Sequence, residues 1–166
     1  MNKLTCLLLT ATLSFILAPG AHAQGIGIGT HYWRTVDEIS DEFDRDGFSW
    51  VFSFQGSIAP LVRYQLDLER FSGDFAGTTK SVYAPQALII GGRVLYGGAG
   101  IGILYSDGDF ANRPFYLLRA GVELPILPRI RLDLNANYHF LDIKGFGDSR
   151  VNTDALSFGA MLRLKL

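Results

Sequence analysis

The chain has 166 residues, and its 15 basic and 16 acidic side chains give a formal net charge of −1. This length suits a single domain, and the balanced charge excludes the usual signature of a nucleic-acid-binding protein. The only cysteine is Cys6, so the sequence also excludes an intrachain disulfide.

The first 23 residues are typical of a secretory signal peptide. Lys3 precedes an apolar run from Leu4 to Leu17, and Ala21-His22-Ala23 forms an A-x-A cleavage site. The run is shorter than the ~20 apolar residues that a transmembrane helix needs. The sequence therefore predicts a signal peptide over residues 1–23 and a mature domain over residues 24–166.

Beyond residue 24, apolar and polar residues alternate repeatedly, which is typical of β-strands with two different faces. In the second such segment, for example, Phe48, Trp50 and Phe52 alternate with serine and valine. Eight strands are predicted, at about residues 25–34, 47–58, 61–71, 82–91, 94–105, 114–124, 130–142 and 154–166. The fourth is apolar on both faces, so its orientation stays open, and its Pro85 removes one backbone donor from the sheet.

The connections between the predicted strands alternate in length. Long ones, rich in Asp, Gly and Ser, cover about residues 35–46, 72–81, 106–113 and 143–153, and short ones cover residues 59–60, 92–93 and 125–129. An even number of strands, with long loops on one side and tight turns on the other, is the pattern of an outer-membrane barrel. The sequence therefore predicts an all-β fold, an eight-stranded antiparallel up-and-down transmembrane barrel with meander topology.

The two strand faces decide between a membrane barrel and its main alternative, a soluble lipocalin-like barrel. On several strands one face carries no charge, which favours contact with lipid. The other face carries acids and bases in near balance, as a narrow lumen requires because buried charges must pair. The predicted structural network in the lumen consists of Arg63, Asp67, Glu69, Arg119, Glu123, Arg131, Asp133, His139 and Arg163, with Lys165 on the same face. A predicted girdle of interfacial aromatic residues, near the loop-side strand ends, consists of Tyr32, Trp50, Tyr105, Tyr116, Tyr138 and Phe140.

On these features the chain resembles the small eight-stranded outer-membrane barrels of Gram-negative bacteria, the OmpA-transmembrane-like and OmpX-like group. The segment YGGAGIGILY is similar to a Y-x-G-x-G-x-G pattern common in the fifth strand of this group. The terminal strand ends in LRLKL, with Leu166 in place of the aromatic residue that the barrel-assembly machinery reads in most members. The resemblance implies insertion by that machinery and a location in the cell outer membrane.

The glycine-rich segment Tyr96–Tyr105 also raises the possibility of a phosphate-binding loop. No helix is predicted after it and the motif G-x-x-x-x-G-K-[ST] is absent, so we predict no cofactor. Gly98, Gly100 and Gly102 recur at period two and therefore share one face, which we expect to line the lumen. There they would leave space for bulky side chains from across the lumen, such as arginines.

The first long loop is acidic, and part of it resembles a calcium-binding loop. However, Ser53 stands where such a loop needs its bidentate carboxylate, which excludes an EF-hand. Loose binding of divalent ions, shared with lipopolysaccharide phosphates, stays open, as does an extracellular protein partner. The loop residues that would make these contacts are Asp37, Glu38, Asp41 and Glu42.

His139 is the candidate for catalysis that the resemblance raises, with His31 expected at a similar height. The lipid A deacylases among outer-membrane barrels use a His-x-Ser motif, but Leu141 replaces that serine and no spacing supports a triad with Ser149. A narrow channel is another alternative, although eight strands enclose a lumen that side chains largely fill. We therefore expect no metal site and no enzyme, but an integral outer-membrane protein that anchors four extracellular loops for surface stability, adhesion or defence. A lipid A-modifying barrel enzyme stays as the alternative.

Overall fold

A computed structural model of the chain describes residues 25–36, 46–72, 81–140, 142–144, 150–152 and 154–166. The predicted signal peptide and the carboxylates Asp37, Glu38, Asp41 and Glu42 lie outside the described residues. The strands are, in chain order, β1 Gly25–Thr35, β2 Asp46–Ala59, β3 Val62–Phe71, β4 Val82–Gly92, β5 Leu95–Gly102, β6 Tyr105–Ser106, β7 Asp109–Phe110, β8 Phe115–Leu127, β9 Ile130–Phe140, β10 Asp142–Lys144, β11 Arg150–Asn152 and β12 Ala155–Lys165.

Eight of these strands, β1 to β5, β8, β9 and β12, form a closed antiparallel barrel. Each pairs with the next one along the chain, and β1 also pairs with β12, where Gly25 lies opposite Lys165. Closure gives every barrel strand two neighbours. The backbone N–H and C=O groups can therefore form hydrogen bonds within the barrel, as a lipid environment requires. The predicted eight-stranded up-and-down meander is confirmed.

The two ends of the barrel differ in their connections. The turns after β2, β4 and β8 lie at one end, together with the start of β1 and the end of β12, and we call it the short-turn end. The connections after β1, β3, β5 and β9 lie at the opposite end, which we call the long-loop end. After β5, the strands β6 and β7 pair as a small hairpin whose turn contains Asp107 and Gly108, both with positive φ.

Two strand ends differ from the sequence-based expectation by three residues. The fifth strand was expected to reach Tyr105, whereas β5 ends at Gly102 and Tyr105 belongs to β6. Between them the Ile103 N–H donates to the Pro85 carbonyl in the same register, but Pro85 has no N–H to return a bond, so the regular pairing is interrupted there. The sixth strand was expected to end at residue 124, whereas β8 continues to Leu127. A register shift follows Pro125, and such an irregularity tolerates the missing donor of proline.

The structure orients β4, which the sequence left open. Val82, Ala84, Leu88 and Ile90 are buried in the barrel, whereas the residues between them, such as Ile89, are exposed. Pro85 therefore faces outwards. The interior along β4 is mainly apolar, although the polar face of most other strands predicts a polar lumen.

The outer surface of the barrel is apolar, and this decides between the two barrel classes. Phe48, Trp50, Phe52 and Tyr116 are each at least 60% exposed, whereas Asp133 is fully buried. A soluble cup has the opposite arrangement, with an apolar interior and a polar exterior. The lipocalin-like alternative is therefore wrong. Among the described residues, no helix is long and apolar enough to cross a membrane, a finding that does not bear on crossing by strands.

Candidate functional site: the filled lumen

The lumen is the candidate site because strand geometry directs alternate residues of every strand into it. Inward residues of β3 face inward residues of β8 across the barrel, although they are distant in sequence. Closure thereby brings each of the predicted lumen acids next to a base. The polar side chains form four groups, centred on Glu123, Asp133, Asp67 and Glu69 in order from the short-turn end to the long-loop end.

The group in the middle of the lumen is built around the Asp67 carboxylate on β3 and the Arg119 guanidinium on β8. Arg119 Nη1 donates to Asp67 Oδ2 at 2.6 Å, and both side chains are fully buried. Arg119 Nε donates to the Asn137 side-chain carbonyl, and Gln65 Nε2 donates to Asp67 Oδ1 at 2.9 Å. The pair is thus held by amide side chains on both sides, which is what a buried ion pair needs if it is to be tolerated.

The next group towards the short-turn end is built around Asp133 on β9. Arg163 Nε donates to Asp133 Oδ2 at 2.6 Å, and the Tyr96 hydroxyl donates to Asp133 Oδ1 at 2.5 Å. Arg163 Nη1 also donates to Ser53 Oγ at 2.9 Å. Asn135 Nδ2 donates to Asp133 Oδ1 at 3.3 Å, which links this group to the middle one through Asn137.

Glu123 closes the short-turn mouth of the lumen. Its Oε1 accepts a hydrogen bond from Arg131 Nη1 at 2.9 Å, and its Oε2 lies 3.1 Å from Arg63 Nη2 in an ion pair. The Glu123 side chain is buried, whereas the side chains of Arg63 and Arg131 are 14% and 43% exposed. Arg63 also lies over the Tyr96 ring, 4.9 Å from its centroid. Arg131 therefore marks the rim of the lumen.

Glu69 forms a separate polar group nearer the long-loop end. Its Oε1 lies 3.0 Å from His31 Nδ1 and accepts from the Ser49 hydroxyl, and its Oε2 accepts from Gln86 Nε2 at 2.8 Å. His139 is also buried here, and its ring lies edge-on to Phe115 with centroids 5.7 Å apart. Within the described part of the chain, no group of three or more His, Cys, Asp or Glu residues could hold a metal ion.

An apolar layer fills the lumen at the long-loop end. We call it the apolar plug, and its buried members are Trp33, Phe71, Val82, Leu104, Ala111, Phe115 and Ala155. Trp33 and Phe71 meet edge to face, with ring centroids 6.3 Å apart. Leu104 and Ala111 come from the segment that carries β6 and β7, and the Ala111 N–H donates to the Leu104 carbonyl at 2.8 Å. The plug therefore lies between the polar groups and the connections at this end.

The glycine row faces the lumen, but its neighbours differ from the expectation. A side chain at Gly98 would meet Ile90, one at Gly100 would meet Leu88 and Leu117, and one at Gly102 would meet the Phe115 ring. These side chains are apolar and come from the adjacent strands β4 and β8. The nearest side chains are thus not arginines from across the lumen but large inward residues of the neighbouring strands.

Two other glycines make room for members of the polar network. A Cβ at Gly121 would lie 2.5 Å from the Tyr96 hydroxyl, and a Cβ at Gly159 would overlap the His31 ring. Tyr96 and His31 can therefore reach their carboxylates only because the facing positions lack a side chain.

The residues of the predicted girdle lie on the outer surface, towards the long-loop end. Tyr32, Trp50, Tyr116 and Phe140 are exposed, and Tyr105 and Tyr138 are half-buried. Two hydroxyls are hydrogen-bonded at the rim. Tyr32 donates to Asp46, and Tyr138 donates to Asp154 at 2.5 Å.

Sequence reasoning missed the apolar plug and several polar partners. Continuing the inward parity from His31 to Trp33, from Glu69 to Phe71 and from Arg119 to Phe115 would have found most of the plug. Tyr96 shares the parity of the glycine row, so the same rule would have found it. Gln86 could not be found in this way, because β4 is apolar on both faces and gives no parity.

The geometry agrees with that of solved structures. Neisserial surface protein A (NspA) matches with a TM-score of 0.66 and 17% identity, over 87% of this chain and 99% of that one. Ail, the attachment invasion locus protein of Yersinia pestis, matches with a TM-score of 0.50 and 16% identity, over 87% of this chain and 98% of that one. Both are small eight-stranded outer-membrane barrels, so the predicted resemblance is confirmed at the level of the fold. Comparisons with protein-family models and with curated protein sequences gave no match.

Proposed function

We propose that this protein is a non-enzymatic integral protein of the outer membrane, and that its barrel is a rigid anchor for four connections at the cell surface. In this proposal the long-loop end faces outwards and the short-turn end faces the periplasm, as in other bacterial barrels of this kind. The connections would then serve surface stability, adhesion or defence.

The observation that carries the proposal is the combination of an apolar outer wall with a lumen filled by side chains. The ion pairs Arg119–Asp67 and Arg163–Asp133 occupy the middle, and the apolar plug occupies the long-loop end. An eight-stranded barrel has a narrow interior, and here paired charges and packed rings share it. This arrangement supports an anchor in preference to a channel.

The position of His139 supports the non-enzymatic part of the proposal. Its ring is buried in the lumen beside Phe115, whereas a lipid A acyl chain lies in the bilayer outside the barrel wall. A catalytic base must come within hydrogen-bond reach of the group on which it acts. His139 would need to leave the lumen to do so.

Adhesion is included because Ail, with which the chain shares its fold, is an attachment invasion locus protein. Lipopolysaccharide and an extracellular protein are the proposed partners of the acidic first connection. The barrel-assembly machinery is the proposed partner during insertion.

The proposal is tested first by location and pore activity. The protein expressed in a Gram-negative host should stay in detergent-requiring membranes and should migrate faster on a gel before boiling than after it. The purified barrel should give no steady conductance in planar bilayers. Release with the periplasmic extract, or a steady conductance that Phe115→Ala increases, would contradict the anchor.

The enzymatic alternative and the surface role need separate measurements. Lipid A mass spectra should be the same with and without the protein, and a loss of acyl chains that His139→Ala reverses would establish the enzyme instead. For adhesion, a variant in which a Gly-Ser linker replaces residues 37–44 should keep its heat-modifiable migration and should bind host cells less than the parent does. Equal binding by both would exclude the first connection as the adhesive segment.

A further inference from the structure

The exposed charged side chains at the short-turn end are all basic. Arg93 lies in the turn after β4, Arg129 in the turn after β8 and Lys165 at the end of β12, and all three are exposed. Arg131 adds a fourth, partly exposed cation. We call these four residues the basic collar. Around these turns, among residues that the structure describes, the one acidic side chain is that of Glu123, and it is buried.

The collar is continuous along one side of the rim. The Lys165 N–H donates to the Arg129 carbonyl at 2.9 Å, which places these two residues next to each other. The Glu123 N–H donates to the Val94 carbonyl at 2.8 Å, which places the turn with Arg93 beside β8. On the other side of the rim, the connection from Ser57 to Val62 contains no charged residue.

Glu123 does not neutralise the collar. It is shared between Arg131 and Arg63, so this group of three carries one net positive charge. Arg93, Arg129 and Lys165 add three more. Because like charges at an exposed rim repel each other, such an arrangement calls for anions from outside the chain.

Exposed aliphatic side chains lie beside the cations. Leu95 is 77% exposed, and Val94, Ile126, Leu127 and Leu166 are also exposed. Aliphatic groups next to basic groups are suited to a bilayer interface, where the former enter the acyl region and the latter reach the phosphates. A water-soluble anionic partner would pair with the cations but would leave the aliphatic side chains exposed to water.

We propose that the basic collar binds the phosphate groups of anionic phospholipids in the leaflet at the short-turn end. This proposal rests on the proposed function, which places that end at the inner leaflet of the outer membrane. Among the described residues of the long-loop end, exposed cations stand together with exposed acids: Arg34 lies opposite Asp46 in the strand register, and Asp107 and Asp109 are exposed in the hairpin of β6 and β7. Anionic lipid should therefore gather on one side of one end of the barrel.

The test uses the mature protein, purified from membranes and reconstituted in phosphatidylcholine bilayers that contain spin-labelled phosphatidylglycerol or spin-labelled phosphatidylcholine. The electron spin resonance spectra report the fraction of the labelled lipid that is in contact with the protein. At low salt, we expect sites at the collar to prefer phosphatidylglycerol by about five-fold, the scale for one basic residue near an anionic surface. The preference should vanish at about 1 M salt, where the screening length is short.

The main variant is Arg93→Gln/Arg129→Gln/Lys165→Gln, and it should lose most of the preference. Arg34→Gln/Arg70→Gln, which removes exposed guanidiniums at the long-loop end, should keep it. The charge-preserving variant Arg93→Lys/Arg129→Lys/Lys165→Arg should keep it as well. Heat-modifiable migration of every sample shows that the barrel is folded.

Three results would overturn the collar. The first is equal contact of both lipids with the parent protein. The second is a preference for phosphatidylglycerol that survives the triple glutamine change. The third is a preference that only the Arg34→Gln/Arg70→Gln variant loses. If the protein bound a soluble polyanion but showed no preference for phosphatidylglycerol, the proposal would also be overturned, and the ligand of the collar would be a periplasmic polymer. A chain that never gives a heat-modifiable band in membranes would instead contradict the proposed function, so the two failures are distinguishable.

Discussion

The middle of the lumen and its long-loop end are both buried, yet they are filled by different interactions. The middle contains Asp67 and Arg119, whose charges pair directly. The long-loop end contains Trp33, Phe71 and Phe115, which pack without any charge. Directional pairs depend on the register of facing strands, whereas packed rings depend mainly on volume.

The difference predicts how each region responds to substitution. In the polar middle, removal of one partner leaves a buried charge without compensation. In the apolar plug, a side chain of similar volume can replace another at little cost. One region therefore requires particular residues, and the other requires a particular amount of apolar volume.

Arg119→Met should produce the largest loss, because Asp67 would stay buried beside Gln65 without its cation. We expect the free energy of unfolding to fall by about 4 kcal/mol. Urea unfolding of the reconstituted barrel measures this loss. The double change Asp67→Asn/Arg119→Met should recover most of it, because it removes both charges. A single-variant loss below about 1 kcal/mol would mean that water or another cation compensates Asp67.

Leu104→Ala should have the next largest effect, because it opens a cavity in the apolar plug. The expected decrease in the free energy of unfolding is about 3 kcal/mol, within the range for a buried leucine. Leu104→Met keeps the volume and should lose under about 1.5 kcal/mol. Equal losses from both variants would show that the plug depends on shape as strictly as the polar middle does.

Gly121→Ala should have a smaller effect on the polar network. The new Cβ would lie 2.5 Å from the Tyr96 hydroxyl and 2.7 Å from the Leu134 carbonyl, so Tyr96 must move away from Asp133. We expect a decrease of about 2 kcal/mol in the free energy of unfolding.

Gly97→Ala is the matched control, because on the outer wall its Cβ would meet only the Arg119 carbonyl, at 3.8 Å. Its stability should change little. If both glycine variants unfold at the same urea concentration, the space opposite Tyr96 is not required.

Tyr138→Phe should have the smallest effect, because it removes the hydrogen bond to Asp154, which lies at the rim and not in the lumen. We expect a loss of about 1 kcal/mol. Tyr116→Phe is a suitable control, since no described residue accepts a hydrogen bond from that hydroxyl, and its urea midpoint should match that of the parent. A loss from Tyr138→Phe as large as that from Leu104→Ala would place a main stabilising contact outside the lumen.

Much of the wall was predictable from the sequence, because alternation assigns each residue to a face without knowledge of its partners. Asp133 and Arg163 were assigned to the lumen in this way, and Trp50 and Tyr116 to the outer surface. The same rule failed for β4, which is apolar on both faces. It holds across the break between β5 and β6, because Leu104 shares the parity of the glycine row and is buried.

By itself, the sequence determined the number of barrel strands, the polarity of the faces of most of them and the two kinds of connection, because these depend on local patterns such as a period of two. The tertiary structure alone decided that Arg119 pairs with Asp67, 52 residues away in the chain. It also decided that Leu88, Ile90 and Phe115 occupy the space beside the glycine row, and that the exposed cations lie on one side of the short-turn end. The physical reason is that closure and register fix which residues meet across the lumen and along the rim, and neither is encoded in the period of a single strand.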